Sequence, residues 1–214
     1  MSVSAQYYSL LRRIVVLRKN LLPDDLDDPF AGISDPQGED RTLGFIVLVH
    51  AEIEHYLEMV CQELAKASVE AYTRQQSVGR VVFSLYAICA SEWSELGKRP
   101  ENLKKPCNEV GVETRINMAL QEYLKVVSNN NGIKEENLKW LLVPLSIRLN
   151  EDLDDEWKLA MNEFGGMRGN VAHMSRNKIT FAANPKDIYN TVRSRILTGL
   201  KKLDIQLANL IPIL

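Results

Sequence analysis

The chain has 214 residues, a formal net charge of -2, 45% hydrophobic and 25% charged residues, which is typical of one globular domain with a substantial core. This balance excludes a protein-wide positive field, so any nucleic-acid site must be a local patch. Three widely spaced cysteines without a C-x-x-C pair predict neither a disulfide framework nor a zinc site and favour a reducing cytoplasm. No segment approaches the roughly 20 apolar residues of a membrane span or a signal-peptide core, so we expect neither membrane insertion nor export.

Hydrophobic periodicity predicts helices in the first half of the chain. Apolar residues recur three or four positions apart from Val3 to Leu21, which predicts an amphipathic helix that ends at the turn-like PDDLDDPF. A second, long helix is predicted from residue 41 to about 72, where one face stays apolar and proline is absent. The segment VVFSLYAICASEWSEL predicts a third helix, although its β-branched start leaves a strand open, and KRPENLKKP predicts a loop.

The second half continues the helical pattern. A fourth helix is predicted from about 108 to 127, followed by the breaker NNNG, a short helix over 134–142 and another over 152–167. In NPKD, Asn184 is the predicted N-cap of a long closing helix, with Pro185 at its first position and apolar residues recurring as far as Leu210. No alternating strand pattern or repeat occurs, so the sequence predicts an all-α bundle of about five to seven helices in a single domain, 1–214.

Two acidic or histidine-containing segments are weak candidates for metal binding. In HAEIEH a helix would place His50 beside Glu54, but the H-E-x-x-H spacing of zinc enzymes is absent. The alternative is a polar edge of the second helix, with His50 bordering the apolar face and hydrogen-bonded to Glu54. The run EDLDDE at 151–156 lacks the central glycine and closing glutamate of a calcium loop, and it is better explained as helix N-terminal charge.

The segment MRGNVAHMS, 167–175, places Arg168 and His173 five positions apart. On a straight α-helix those positions point about 140° apart and cannot meet at one small target. The nearby Gly165, Gly166 and Gly169 predict that the helix bends or ends here, since glycine is poor in helix interiors. Either such a bend or a second chain must therefore bring the two side chains together.

Phosphate-binding groups converge around this motif. Asn170 lies between the two residues, and Arg176 and Lys178 follow closely, where glycine lets the backbone approach a ligand. The alternative is a surface helix end, with a solvated arginine, a glycine C-cap and a histidine that touches a carbonyl. No glycine-rich phosphate loop in a strand-turn-helix context and no G-x-S-x-G occur, so nucleotide hydrolysis of the usual kinds and serine hydrolysis have no support.

RGNVAH matches the R-x4-6-H motif of the HEPN superfamily. With it, NGIKEENLKWLLVPLSI, LDDEWKLAMNEFGGMRGNVAHMS and NPKDIY resemble the RiboL-PSP type of HEPN domain over about residues 130 to 205, whereas the N-terminal helices are similar only in pattern. The chain departs from the family at Gly169, where many members have asparagine, and at Met174 and Ser175, where some toxins carry a tyrosine two places after the histidine. Subfamily and substrate therefore stay open.

The resemblance implies a HEPN-like helical bundle that acts as a metal-independent endoribonuclease of a toxin-antitoxin or antiviral conflict system. It implies no cofactor, RNA as substrate, a homodimer through helices next to the motif, and an antitoxin or defence-system protein as a further partner. The implied catalytic pair is Arg168 and His173, and the expected RNA-binding residues are Asn170, Ser175, Arg176 and Lys178. The alternatives are an inactive HEPN module that binds RNA, nucleotide or a partner protein, and a purely structural helical adaptor.

Overall fold

The computed structural model describes residues 3–27, 36–89, 111–173 and 184–210, with backbone alone at 36, 89, 172 and 173. In chain order its helices are α1 (Ala5–Leu21), α2 (Pro36–Gln75), α3 (Arg80–Cys89), α4 (Val112–Ser128), α5 (Glu135–Leu142), a 3₁₀ turn (Val143–Leu145), α6 (Leu149–Asp152), α7 (Asp155–His173), α8 (Pro185–Asn190), a π-helical segment (Thr191–Ile196) and α9 (Leu197–Ala208). These parts of the chain contain no strand. The predicted all-α bundle is confirmed.

Most predicted helices are present, with differences at their ends. Residues 80–89 form α3, so the strand alternative for this segment is wrong, while the loop KRPENLKKP lies outside the described residues. The predicted closing helix runs without interruption from Pro185 to Ala208, and the Asn184 side chain caps it by accepting from the backbone N–H of Lys186 at 2.9 Å. None of the described helices is both long and apolar enough to span a membrane.

The long helix α2 is the centre of the bundle. It packs against α1, α3, α4, α5, α7 and α9. Its buried face continues along nearly the whole helix because apolar side chains recur every three or four residues; its completely buried members are Phe45, Ile46, Val49, Ile53, Leu57, Cys61 and Ala65. This one helix therefore positions six other helices of the described chain.

A buried carboxylate joins the first, second and last helices. Asp204 of α9 is 3% exposed and accepts hydrogen bonds from the Ser4 backbone N–H at 2.7 Å, the Ser4 hydroxyl at 2.5 Å and the Tyr56 hydroxyl at 2.8 Å. A buried carboxylate is tolerated when its oxygens are satisfied in this way. Asp204 therefore fixes the start of α1 and the middle of α2 against the closing helix.

The closing helix also has a close contact with α7. The indole N–H of Trp157 donates to the carbonyl of Ile196 at 3.1 Å, where the π-helical segment ends. The indole ring lies directly against the backbone of Gly199, so that a Cβ atom at that position would overlap the ring. Glycine is required here because only a residue without a side chain leaves room for the indole.

We expect Gly199→Ala to destabilise the protein by about 1 to 3 kcal/mol, because the added methyl group overpacks the contact with Trp157. The matched control is Gly44→Ala on α2, where an added Cβ meets no atom within 4 Å. That change should leave stability unchanged or raise it by up to about 1 kcal/mol through helix propensity. Urea denaturation of both variants measures the difference, and equal stabilities would contradict this account of Gly199.

Candidate functional site

Arg168 occupies the end of the buried stripe of α7. Trp157, Met161 and Phe164 precede it at steps of four and three, and all three side chains are buried. The next step of four reaches Arg168, which is half-buried. A charged residue therefore takes the position where the periodicity of the helix calls for an apolar one.

Helix α2 also has a polar residue at a position in its buried, otherwise apolar stripe. His50 lies between Ile46 and Ile53 in the buried stripe and is 2% exposed. One turn further, Glu54 Oε2 lies 3.6 Å from His50 Nδ1, a distance too long for a good hydrogen bond. The predicted neighbours are thus in contact, but His50 is buried rather than at the edge, and its Nδ1 has no hydrogen-bond partner among the described residues.

Arg168 acts electrostatically on both of these α2 residues. Burial, together with the smaller effects of the positive charges of Arg168 and Lys134, lowers the pKa of His50 to about 4. Burial and the nearby Glu58 raise the pKa of Glu54, while Arg168 opposes that rise. The motif arginine therefore lies close enough to the polar positions of α2 to change their ionisation, and the imidazole between the charges is neutral at pH 7.

The segment that contains NNNG borders this cluster from a third side. The Asn130 side chain donates to Glu58 Oε1 at 3.0 Å and to the Gly132 carbonyl at 3.0 Å. The backbone N–H of Glu135, the first residue of α5, donates to the Asn162 side chain of α7 at 2.8 Å. The turn between α4 and α5 is thus attached to both α2 and α7, and it carries Lys134 to the cluster.

The glycine-rich segment does not end or break the helix. Helix α7 continues through Gly165, Gly166 and Gly169 as far as His173, so the prediction that the helix ends there is wrong. Each of the three glycines costs roughly 1 kcal/mol in a helix interior, and the tertiary packing of α7 outweighs this cost. On this continuous helix positions 168 and 173 lie about 140° apart around the axis.

Of the other predicted site residues, only Asn170 has a described side chain. Asn170 is exposed on α7. Only the backbone of His173 is described, and Ser175, Arg176 and Lys178 lie outside the described residues. The structure adds Lys134 to the surroundings of His50 and Glu58 to those of Glu54. The spacing of His50, Glu54 and Glu58 by four could have indicated one polar face, whereas no sequence signal connects Lys134 with Arg168.

The acidic run at 151–156 has a structural role. Asp154 Oδ1 accepts from the backbone N–H of Trp157 at 3.1 Å at the start of α7, and Asp155 and Glu156 lie in its first turn, as predicted. Asp155 also pairs with Lys158 at 2.8 Å. In the part of the chain that is described, no group of three or more histidine, cysteine, aspartate or glutamate side chains could hold a metal ion.

Comparison of the chain with models of protein families, with curated proteins and with solved structures finds no match. The resemblance to the HEPN superfamily therefore rests on the motif and flanking residues of the sequence itself. What the structure adds is independent of that resemblance: Arg168 lies within electrostatic range of the buried His50 and the half-buried Glu54, and the exposed Lys134 lies within electrostatic range of His50.

We expect His50 to make the protein less stable at low pH. Because its folded pKa is about 4, the unfolded chain takes up a proton below pH 6.5 that the folded protein does not bind until about pH 4. Stability should therefore fall by about 3 kcal/mol as the pH drops through this window.

Urea denaturation at pH 7 and pH 4.5 tests this contribution. His50→Gln should reduce the loss of stability between the two pH values. His55→Gln, which changes an exposed histidine on the same helix, should retain the loss seen in the wild type. If both variants keep the wild-type pH dependence, His50 is not the group responsible.

Proposed function

We propose that this protein is a metal-independent, homodimeric HEPN endoribonuclease of a toxin-antitoxin or antiviral conflict system. The observation that carries the proposal is the position of Arg168, a half-buried arginine at the end of the buried stripe of α7 and within electrostatic range of His50 and Glu54. A solvated arginine at a surface helix end would not need such surroundings. A binding or catalytic arginine does, because its direction must be fixed.

Arg168 is suited to stabilise a reacting phosphate. Its guanidinium remains charged and can grip two phosphate oxygens at once. Partial burial strengthens this interaction, since fewer water molecules compete for the charge. Glu54 offsets the cost of keeping the guanidinium half-buried, and Arg168 can then stabilise the charge that develops as a ribose 2'-oxygen attacks phosphorus.

His173 is the proposed general base. An imidazole with an ordinary pKa near 6.5 can accept the proton of the ribose 2'-OH at neutral pH. The 2'-oxygen then forms a bond to phosphorus, the bond from phosphorus to the 5'-oxygen breaks, and the leaving oxygen takes a proton from the protonated histidine of the second chain. The products carry 2',3'-cyclic phosphate and 5'-OH ends.

The proposed dimer follows from the continuity of α7. Positions 168 and 173 lie about 140° apart around one helix. Side chains from these two positions of one chain therefore point away from each other and do not meet at one phosphate. A two-fold axis beside the motif would bring Arg168 of one chain toward His173 of the other. The proposal therefore includes pairing through the helices next to the motif.

We expect His173→Ala and Arg168→Ala to lose RNA cleavage while remaining folded. Loss of the general base should lower kcat by roughly 10²- to 10⁴-fold, and loss of the phosphate contact by roughly 10²- to 10³-fold. The measurement is cleavage of single-stranded RNA, with the product ends identified by mass. Arg12→Ala on α1, an exposed arginine far along the chain from the motif, should cut at the wild-type rate.

Two further results belong to the same experiment. A 2'-deoxy substitution at the cut nucleotide should block cleavage, because it removes the attacking hydroxyl. Excess EDTA should not block cleavage, because the proposed catalytic groups are side chains and not a metal ion. A folded His173→Ala protein that cuts at the wild-type rate, or products with 5'-phosphate ends, would overturn the mechanism. RNA binding without any cleavage by the wild type would favour the inactive HEPN module instead.

The composite cleft predicts that an inactive chain suppresses an active one. A chain with both Arg168→Ala and His173→Ala, equilibrated in excess with wild type, should lower the activity per wild-type chain, since most wild-type chains then pair with an inactive partner. RNA is kept in excess over both proteins so that sequestration does not contribute. Unchanged activity per chain, or an active monomer in sedimentation, would rule out the shared cleft.

A further inference from the structure

We propose that Lys134 is a second phosphate-binding residue beside Arg168 and contacts the RNA backbone next to the reacting phosphate. This role rests on the proposed endoribonuclease function and extends it, because it assigns to the site a residue that lies outside the R-x4-H motif. The substrate chemistry is that of single-stranded RNA, whose successive phosphates can each be matched by one cation.

Gly165 provides the room for the Lys134 side chain. Gly165 lies on α7 three residues before Arg168, so Gly165 and Arg168 lie on the same side of the helix. An added Cβ at Gly165 would lie 2.9 Å from Lys134 Cγ and 3.4 Å from Cε, closer than a normal van der Waals contact. The lysine stem therefore crosses α7 where the helix has no side chain, one turn before Arg168.

The backbone that carries Lys134 is attached on both sides. Asn130 anchors the preceding turn to Glu58 of α2 at 3.0 Å, and Asn162 of α7 accepts from the backbone N–H of Glu135, the next residue, at 2.8 Å. Each hydrogen bond limits the movement of the turn. A lysine on a fixed backbone loses less conformational freedom on binding a phosphate than one on a free loop.

The charges of Lys134 and Arg168 reach the same buried imidazole. Both lower the pKa of His50, after the larger effect of burial. His50 is neutral at pH 7, and Glu54 and Glu58 are the carboxylates that face this cluster. Both cations therefore lie near His50, and the contact of Lys134 with Gly165 brings the lysine to the same part of α7 as Arg168. This arrangement would bind an anion with more than one phosphate.

Some lysines of the bundle are paired with a carboxylate, whereas others, Lys134 and Lys139 among them, are not paired with any described residue. Lys125 pairs with Glu122 at 2.7 Å and Lys158 pairs with Asp155 at 2.8 Å. The exposed Lys134 forms no ion pair with any residue that the structure describes. Its ammonium is thus available to an external phosphate without first breaking an internal pair.

The test measures binding of a single-stranded RNA oligonucleotide in the His173→Ala background, which should not cleave it, between about 50 and 200 mM salt. Lys134→Ala should weaken binding and reduce the slope of log K against log salt by about 0.7, the value for one phosphate contact. Lys134→Arg should retain binding. The matched control is Lys139→Ala, which removes the same charge from an exposed position on α5 and should leave the slope nearly unchanged.

Two glycine variants test the geometry without a change in charge. Gly165→Ala should displace the Lys134 stem and reproduce part of the loss in binding. Gly166→Ala, where an added Cβ meets nothing within 4 Å, should bind like the parent. Both substitutions favour the helix equally, and thermal denaturation confirms that each variant is folded.

The outcomes separate this role from the proposed activity. If Lys134→Ala and Lys139→Ala bind RNA equally while the wild type cuts RNA, the role of Lys134 is wrong and the endoribonuclease proposal stands. If Lys134→Ala alone weakens binding and the wild type does not cut, the phosphate contact stands and the activity is wrong. Absence of RNA binding by the parent protein would overturn both.

Discussion

The packing of α7 against α2 is the constraint on which the rest of the structure depends. Each helix presents a stripe of buried apolar side chains, and burial of such stripes is the main favourable term in folding. Polar residues interrupt both buried faces, among them Arg168 on α7 and His50 on α2. The apolar neighbours determine how the two helices pack. The two polar side chains are therefore held near each other and lose part of their contact with water, which is unfavourable for either of them by itself.

Contacts far from Arg168 keep α7 in that position. The indole of Trp157 lies against Gly199 and donates to the Ile196 carbonyl, which holds the start of α7 on the closing helix. The buried Asp204 holds the same closing helix to Ser4 and Tyr56. Close-packed interiors transmit small displacements, so these contacts support the geometry around Arg168 although they lie outside the candidate site.

The electrostatics of the cluster follow from its partial burial. A neutral imidazole does not oppose the guanidinium, whereas a protonated one would, so the low pKa of His50 is compatible with a cation beside it. Glu54 provides negative charge next to Arg168 without removing the guanidinium from the surface. Arg168 is therefore a half-buried arginine with a neutral imidazole and a carboxylate in its electrostatic surroundings.

The sequence by itself determined that the chain is helical, since the period of its apolar residues and the cap at Asn184 are local properties. It also singled out Arg168 and His173, and the contact of His50 with Glu54 follows from helical spacing. Only the tertiary structure decided that α7 continues through its glycines, because packing outweighs their intrinsic helix cost. Tertiary packing alone also brought His50, Glu54 and Lys134 to Arg168, since contacts between helices distant in sequence depend on how whole stripes pack and not on any short spacing.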